Sequence, residues 1–277
     1  MSTPPPLSGT TRSDFLNRIA DDRRRAVEAM KLRTPAHELR ARLVTQHPAG
    51  RLERALRRDG GAAPLRMICE VKRASPSRGP LNPGVDPVAT ARLYEAGGAS
   101  AISLVTEPAY FGGELEWIDR VRPATRLPLL LKDFVVDPYQ ILDAAVRGAD
   151  GVLLIAAMHS DVGLQRLISE ALLLGLDALV EIHDVTELRT ALKAGATLVG
   201  INNRDLRTFE VRRETALELL PQVPEPVTTV AESGLSAPDD LRALRATRCD
   251  AVLMGEVFMT SDDPAATLAR LAAAARG

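Results

Sequence analysis

The chain has 277 residues, with 35 basic and 36 acidic side chains and a net charge of −1. That balance excludes the basic surplus of a nucleic-acid-binding surface, and no run approaches the roughly 18–20 apolar residues of a membrane span. Two cysteines and four scattered histidines, with no His-x-x-x-His pair, exclude a disulfide framework or a four-cysteine zinc site, so no metal is expected.

Residues 1–11, rich in Pro, Ser, Thr and Gly, read as a disordered tail. They lack the apolar core of a signal peptide, which predicts a cytoplasmic protein. Asp14 to Lys31 is predicted helical, because Phe15, Ile19, Ala26, Val27 and Met30 recur at near-helical spacing. A second, more broken helical region runs from Pro35 to Arg58, and Gly60-Gly61 closes it. Residues 12–61 are thus expected to form a helical extension, and residues 62–277 the main domain.

Eight short apolar runs follow, at 65–72, 100–106, 128–134, 150–157, 177–182, 197–202, 226–231 and 250–255. Helix-length mixed segments separate them. Several runs follow a glycine that ends a helical stretch, as in Ala96-Gly97-Gly98-Ala99, Arg147-Gly148-Ala149 and Ala194-Gly195-Ala196. Such joints belong to βα units, whose strands are apolar throughout because both faces are buried. Eight repeats over this length predict a (β/α)8 TIM barrel with an N-terminal helical extension. A doubly wound sheet is the alternative. It would carry a glycine-rich phosphate loop after its first strand, and the segment after Lys72 has none.

The first run ends at Cys69-Glu70-Val71-Lys72, so Glu70 and Lys72 share a face and Cys69 points away as a packing residue. It then opens into Ala74-Ser75-Pro76-Ser77-Arg78-Gly79. Later runs end at Thr106-Glu107, Lys132-Asp133, Glu181-Ile182-His183, Asn202-Asn203-Arg204-Asp205, Glu232-Ser233-Gly234 and Gly255-Glu256. Singly, each has a plain reading: Asp133 or Asp205 as a helix cap, Lys132 as a snorkelling side chain, Asn202-Asn203 as turn residues. Together they bring lysines, carboxylates, an amide and an arginine to one barrel mouth, where acid–base groups tune one another. Small residues after the seventh and eighth runs fit the phosphate position of such barrels, and Ser75 and Ser77 add hydroxyl donors.

Three stretches are the most specific: Glu70-Val71-Lys72-Arg73-Ala74-Ser75-Pro76-Ser77, Lys132-Asp133-Phe134-Val135-Val136-Asp137-Pro138-Tyr139-Gln140, and Gly200-Ile201-Asn202-Asn203-Arg204-Asp205-Leu206. With Phe111-Gly112-Gly113, Glu232-Ser233-Gly234 and Met254-Gly255-Glu256, they resemble the indole-3-glycerol phosphate synthase family from about Phe15 to the end of the chain. The resemblance implies one substrate, the phosphosugar 1-(2-carboxyphenylamino)-1-deoxyribulose 5-phosphate, closed to indole-3-glycerol phosphate with loss of carbon dioxide and water. It implies no cofactor, no nucleic-acid or membrane partner, and often a monomer. It also implies that the extension covers the barrel mouth. No fused second barrel is expected.

By the same resemblance Lys132 is the general acid and Glu181 a catalytic carboxylate that serves as base. Glu70 and Lys72 form the adjacent pair; Lys72 holds the substrate carboxylate or is a second acid. Asn202 and Glu232 orient hydroxyls and catalytic side chains, and Arg204 supports that network or the substrate carboxylate. Ser75, Ser233, Gly234, Gly255 and Glu256 match the phosphate site. Phe111, Phe134, Leu206 and Phe209 match the pocket for the aromatic ring. Departures are few: Glu256 stands where some members have Ser, and Leu131 where Arg is common. Two rivals are weighed. A phosphoribosylanthranilate isomerase would end its first strand in a catalytic Cys, and a catalytically dead barrel would have lost Lys132 or Glu181; neither pattern is present.

Overall fold

A computed structural model describes residues 12–43, 50–60, 63–205 and 209–277. Each apolar run becomes a strand: β1 (Arg66–Val71), β2 (Ala101–Val105), β3 (Leu129–Lys132), β4 (Gly151–Ile155), β5 (Asp177–Ile182), β6 (Leu198–Asn202), β7 (Thr228–Glu232) and β8 (Ala251–Met254). All eight are parallel and close into a barrel, β1 pairing with both β2 and β8. The fold is the (β/α)8 barrel. The expected tail at 1–11 lies outside the described residues. A small hairpin, Ala74–Ser75 paired with Gly79–Pro80, follows β1 and was not legible in the sequence.

Strand parity sorts the core into two shells. Ile68, Ala101, Leu130, Leu153, Leu179, Leu198, Val230 and Ala251 fill the barrel interior. Met67, Cys69, Val71, Leu129, Leu131, Val152, Val180 and Val199 face the surrounding helices. Cys69 is buried in that outer shell, on the face opposite Glu70.

The extension holds three helices, α1 (Arg12–Arg33), α2 (Ala36–Arg42) and α3 (Arg51–Leu56). They do not act as one piece. Leu16 and Ile19 of α1 join Phe134 and Ile155 at the carboxyl-terminal end of the barrel. The Arg23 guanidinium donates to Asp133 at 2.9 Å, and the Tyr110 hydroxyl donates to Asp22 at 2.8 Å. Lys31 reaches Asp137 at 2.7 Å, and the Tyr139 hydroxyl donates to the Thr34 carbonyl at 2.7 Å. Asp137 also caps its own helix, with Gln140 completing a capping box. Much of the Asp137-Pro138-Tyr139-Gln140 stretch therefore serves to dock α1.

The helix α3 sits at the opposite end. Leu52 and Leu56 are fully buried beneath Leu130, Leu198 and Ala251. Gly50 offers α3 no side-chain cap, and Asp177 at the start of β5 accepts from the Glu53 N–H at 2.9 Å instead. Arg51 donates to Asp150 at 2.7 Å, and the Arg58 N–H donates to Asp250 at 3.1 Å. These aspartates start β4, β5 and β8, so α3 is a stopper in the end of the barrel away from the strand-end loops. Removing part of a fully buried side chain costs transfer energy plus a cavity. Leu52→Ala is expected to lower stability by about 2–5 kcal/mol, read from the denaturant midpoint against the parent chain.

Candidate active site

Lys132 ends β3 and points into the barrel, as its register opposite Val105 on β2 requires. Its ammonium lies 3.1 Å from Glu181 Oε2 and 3.3 Å from Glu232 Oε2. Those carboxylates end β5 and β7, and both side chains are 2% exposed. Burial alone would strip the charge from all three groups. For Lys132 the fields of Glu181, Glu232 and Glu70 outweigh burial and raise its pKa, so the ammonium stays charged. Burial pushes Glu181 upward too, but Lys132 and His183 reverse this and hold it well below the ordinary carboxylate range. Glu232 has the weaker share of Lys132 and two carboxylate neighbours, and burial pushes it up to about 7. One lysine thus sits between a committed carboxylate and one that titrates near neutrality, which is how acid and base roles are separated in one site.

Glu70 and Lys72 form the adjoining pair, 2.8 Å apart. Glu70 also accepts from the Ser103 hydroxyl at 3.3 Å. Burial raises its pKa, and Lys72 and Lys132 bring it below the ordinary value. Asn202 hydrogen-bonds Glu181 and accepts from the Arg204 N–H at 3.0 Å. Glu232 Oε1 is buried and has no hydrogen-bond partner among the described residues. A Cβ on Gly200 would stand 2.1 Å from that atom, so only glycine on β6 leaves room for this carboxylate.

Above the cluster the loops converge. Ser75 and Ser77 come from the loop after β1, their hydroxyls 3.5 Å apart. Ser233 and Gly234 after β7 both take positive φ, 66° and 73°. A Cβ on Gly234 would meet Val211 at 2.2 Å. A serine held in the left-handed region marks a local constraint, a frequent property of functional loops. Gly255 and Glu256 follow β8. Glu256 is held by Arg78 at 3.0 Å and faces Arg204 at 3.7 Å, while Arg204 donates to Ser77 at 3.2 Å. Phe111 and Phe134 make a tilted pair with ring centroids 6.1 Å apart, and Phe209 stands near them with φ of 60°.

A cavity of about 550 Å³ joins these groups. Every site residue read from the sequence lines it: Glu70, Lys72, Ser75, Phe111, Lys132, Phe134, Glu181, Asn202, Arg204, Phe209, Glu232, Ser233, Gly234, Gly255 and Glu256. The exception is Leu206, which lies outside the described residues. The sequence reading did not single out Ser103, or give Arg78 and His183 a role. A helix cap is one plain reading of Asp133 in the sequence. Asp133 instead accepts from Arg23 and from Thr106 at 2.7 Å, a pairing 110 residues apart along the chain. The helix that follows, Pro138–Arg147, is capped by Asp137, and Glu107 caps the short helix Pro108–Phe111, accepting from the N–H groups of Ala109, Tyr110 and Phe111. Among the described residues no group of three or more His, Cys, Asp or Glu side chains is placed to hold a metal ion.

Fold and site together define a (β/α)8-barrel enzyme of the acid–base kind, with its machinery at the carboxyl-terminal mouth. The family description "Indole-3-glycerol phosphate synthase" matches residues 16–271. Indole-3-glycerol phosphate synthase 1 of Streptomyces coelicolor is 43% identical over 259 residues, covering 94% of this chain and 95% of the relative. The synthase of a Parafrankia species is 50% identical over 208 residues, covering 75% and 78%. The solved structure of KGPDC from Streptococcus mutans, in complex with D-R5P, shares the fold alone: TM-score 0.58, 12% identity, 76% of this chain and 97% of that one. The chain belongs to the indole-3-glycerol phosphate synthase family.

Gly200→Ala tests the packing behind Glu232. The added methyl must displace that carboxylate from Lys132, and misplacing a reacting group by about 1 Å costs on the order of a hundredfold in rate. Turnover of the family substrate is expected to fall by about that factor while thermal unfolding changes little; parent-like turnover would show that Glu232 relocates without consequence.

Proposed function

We propose that this chain closes 1-(2-carboxyphenylamino)-1-deoxyribulose 5-phosphate to indole-3-glycerol phosphate, releasing carbon dioxide and water, as a step of tryptophan biosynthesis. The observation that carries the reading is a charged lysine, Lys132, set between Glu181 and Glu232 in the floor of the cavity. The ring carbon bearing the carboxylate attacks the C2′ ketone. Lys132 gives a proton to the ketone oxygen, which becomes a hydroxyl. Carbon dioxide leaves and its bonding pair returns to the ring. The hydroxyl takes a second proton, given by Lys72 in its second-acid role, and departs as water, and Glu181 takes the proton whose loss completes the new aromatic ring. The steps are redox-neutral, so no electron carrier enters.

The remaining residues bind and orient. Phe111, Phe134 and Phe209 form the ring pocket and press the ring against the ketone, which is catalysis by proximity. Ser75, Ser233, Gly234, Gly255 and Glu256 surround the phosphate, the glycines giving close approach to backbone N–H groups. Asn202 and Glu232 hold the hydroxyls, and Arg204 braces the loops after β1 and β6. Glu70 fixes Lys72 at the edge of the reacting group. The α1 helix covers the mouth, and the protein works as a cytoplasmic monomer. No helix among the described residues is long and apolar enough to cross a membrane.

Fluorescence of the indole product, formed from the synthetic substrate without added metal or nucleotide, tests the activity. Lys132→Ala is expected to lower kcat by at least about a hundredfold, the contribution of a positioned acid, with the fold intact by circular dichroism. Strong residual turnover would remove Lys132 from the acid role. Lys72→Gln separates its two roles: a raised KM with kcat unchanged means ground-state binding of the substrate carboxylate, whereas a lowered kcat at constant KM means proton donation. With Glu232 titrating at about 7, Glu232→Gln is expected to remove a near-neutral inflection from the kcat profile.

A further inference from the structure

The segment after β5 reads His183-Asp184-Val185-Thr186-Glu187. Asp184 caps the helix Val185–Lys193, its carboxylate accepting from the Thr186 and Glu187 N–H groups at 2.9 Å each. Glu187 falls on the third helical position and folds back, accepting from the His183 N–H at 2.8 Å, in the manner of a capping box shifted by one residue. Helix initiation therefore delivers a carboxylate to His183. The same oxygen, Glu187 Oε2, lies 2.9 Å from His183 Nδ1. Facing a carboxylate, Nδ1 carries its proton, and Nε2 is left to face Glu181 Oε1 at 3.4 Å. Glu181 is thereby held from two sides, Oε1 toward His183 and Oε2 toward Lys132.

We infer that His183, clamped by Glu187, is a positioning residue that keeps Glu181 ionised and aligned from behind the cavity wall. The inference rests on the reading of Glu181 as the base. His183 has a side chain only 6% exposed and is not among the cavity-lining residues, so it acts through Glu181 and not on substrate. Its role follows from the sequence of proton transfers. Lys132 spends its proton on the ketone oxygen and becomes a neutral amine. One of the two cations that hold Glu181 ionised is then lost before the base is needed. His183 is the one that stays charged: burial works against the imidazolium, but Glu181 and Glu187 on its two sides push it up to about 9. The other groups facing Glu181 are Glu232 on β7, which opposes its ionisation, and the neutral Asn202 on β6.

Three variants test this: His183→Ala, His183→Gln and Glu187→Gln. In His183→Ala, kcat is expected to fall about tenfold to a hundredfold, the usual loss when a residue orienting a reactive group is removed. KM should change little, and the acid limb of the kcat profile should move to higher pH, because a carboxylate that loses a neighbouring cation binds its proton more tightly. His183→Gln keeps a donor toward Glu181 and is expected to recover part of kcat while leaving the acid limb displaced. Glu187→Gln should move it in the same direction by less. A turnover-independent reading comes from 13C-glutamate NMR, with the Glu181 resonance assigned by Glu181→Gln. Its midpoint should rise in His183→Gln. An unmoved Glu181 titration in His183→Gln and Glu187→Gln overturns the inference, even if kcat falls. A parent chain that does not turn over the substrate counts against the proposed function, and the NMR titration still decides the role of His183.

Discussion

Burying charge is the constraint on which this molecule turns. An ammonium or carboxylate taken from water into a protein interior loses several kcal/mol unless partners replace its hydration. Here Lys132, Glu181, Glu232, Glu70, Lys72 and His183 all lie at one end of one barrel, and Lys132, Glu181, Glu232, Glu70 and His183 hold their protonation states through charged neighbours. The set is almost balanced. The imbalance falls on Glu232, whose second oxygen has no partner among the described residues and whose proton is held near neutrality. Protonating Glu232 also removes one of the carboxylates that secure the Lys132 proton, so the state of one group sets the acidity of the next.

The barrel separates this expensive end from an end that does only structural work. Inside, Leu130, Leu153, Leu179 and Leu198 fill the middle. Below them α3 closes the opening with two leucines and a ring of strand-start aspartates. Those aspartates are ionisable and buried like the glutamates above, yet their acceptor positions are taken by backbone N–H groups and arginines. Asp250, for example, accepts from the N–H groups of Arg58 and Thr229. Carboxylates satisfied by fixed donors stabilise the fold, whereas carboxylates left facing a cavity are available for chemistry.

Much of this was legible in the sequence. Eight apolar runs gave eight strands because buried parallel strands have no polar face to interrupt the run. Alternation placed Glu70 and Lys72 together and set Cys69 apart, and strand-end position gathered the lysines and carboxylates of the cavity floor, while the phenylalanines of its lining came only from the family resemblance. What escaped was set by distance along the chain. Asp133 looks like a cap from its neighbours, and only the fold brings Arg23 to it. The plugging role of α3 needs Asp150, Asp177 and Asp250, none of them near residue 55 in sequence. His183 escaped for another reason: its partners are close in sequence, but a single His after a strand carries no periodic signal.

The docking of the extension has a consequence for how the chain is made. Its helices are synthesised before the barrel strands, but their anchors come much later: Asp133 for α1, Asp177 for α3, and Asp250 for Arg58 shortly after α3. Arg58 and Asp250 are separated by 192 residues. Nascent α3 therefore has no complete seat until β8 is synthesised, and Leu52 and Leu56 stay uncovered in the meantime. Closure of the barrel and insertion of its stopper both rest on long-range contacts, the kind that slow folding and leave apolar surface open to chaperones while synthesis proceeds.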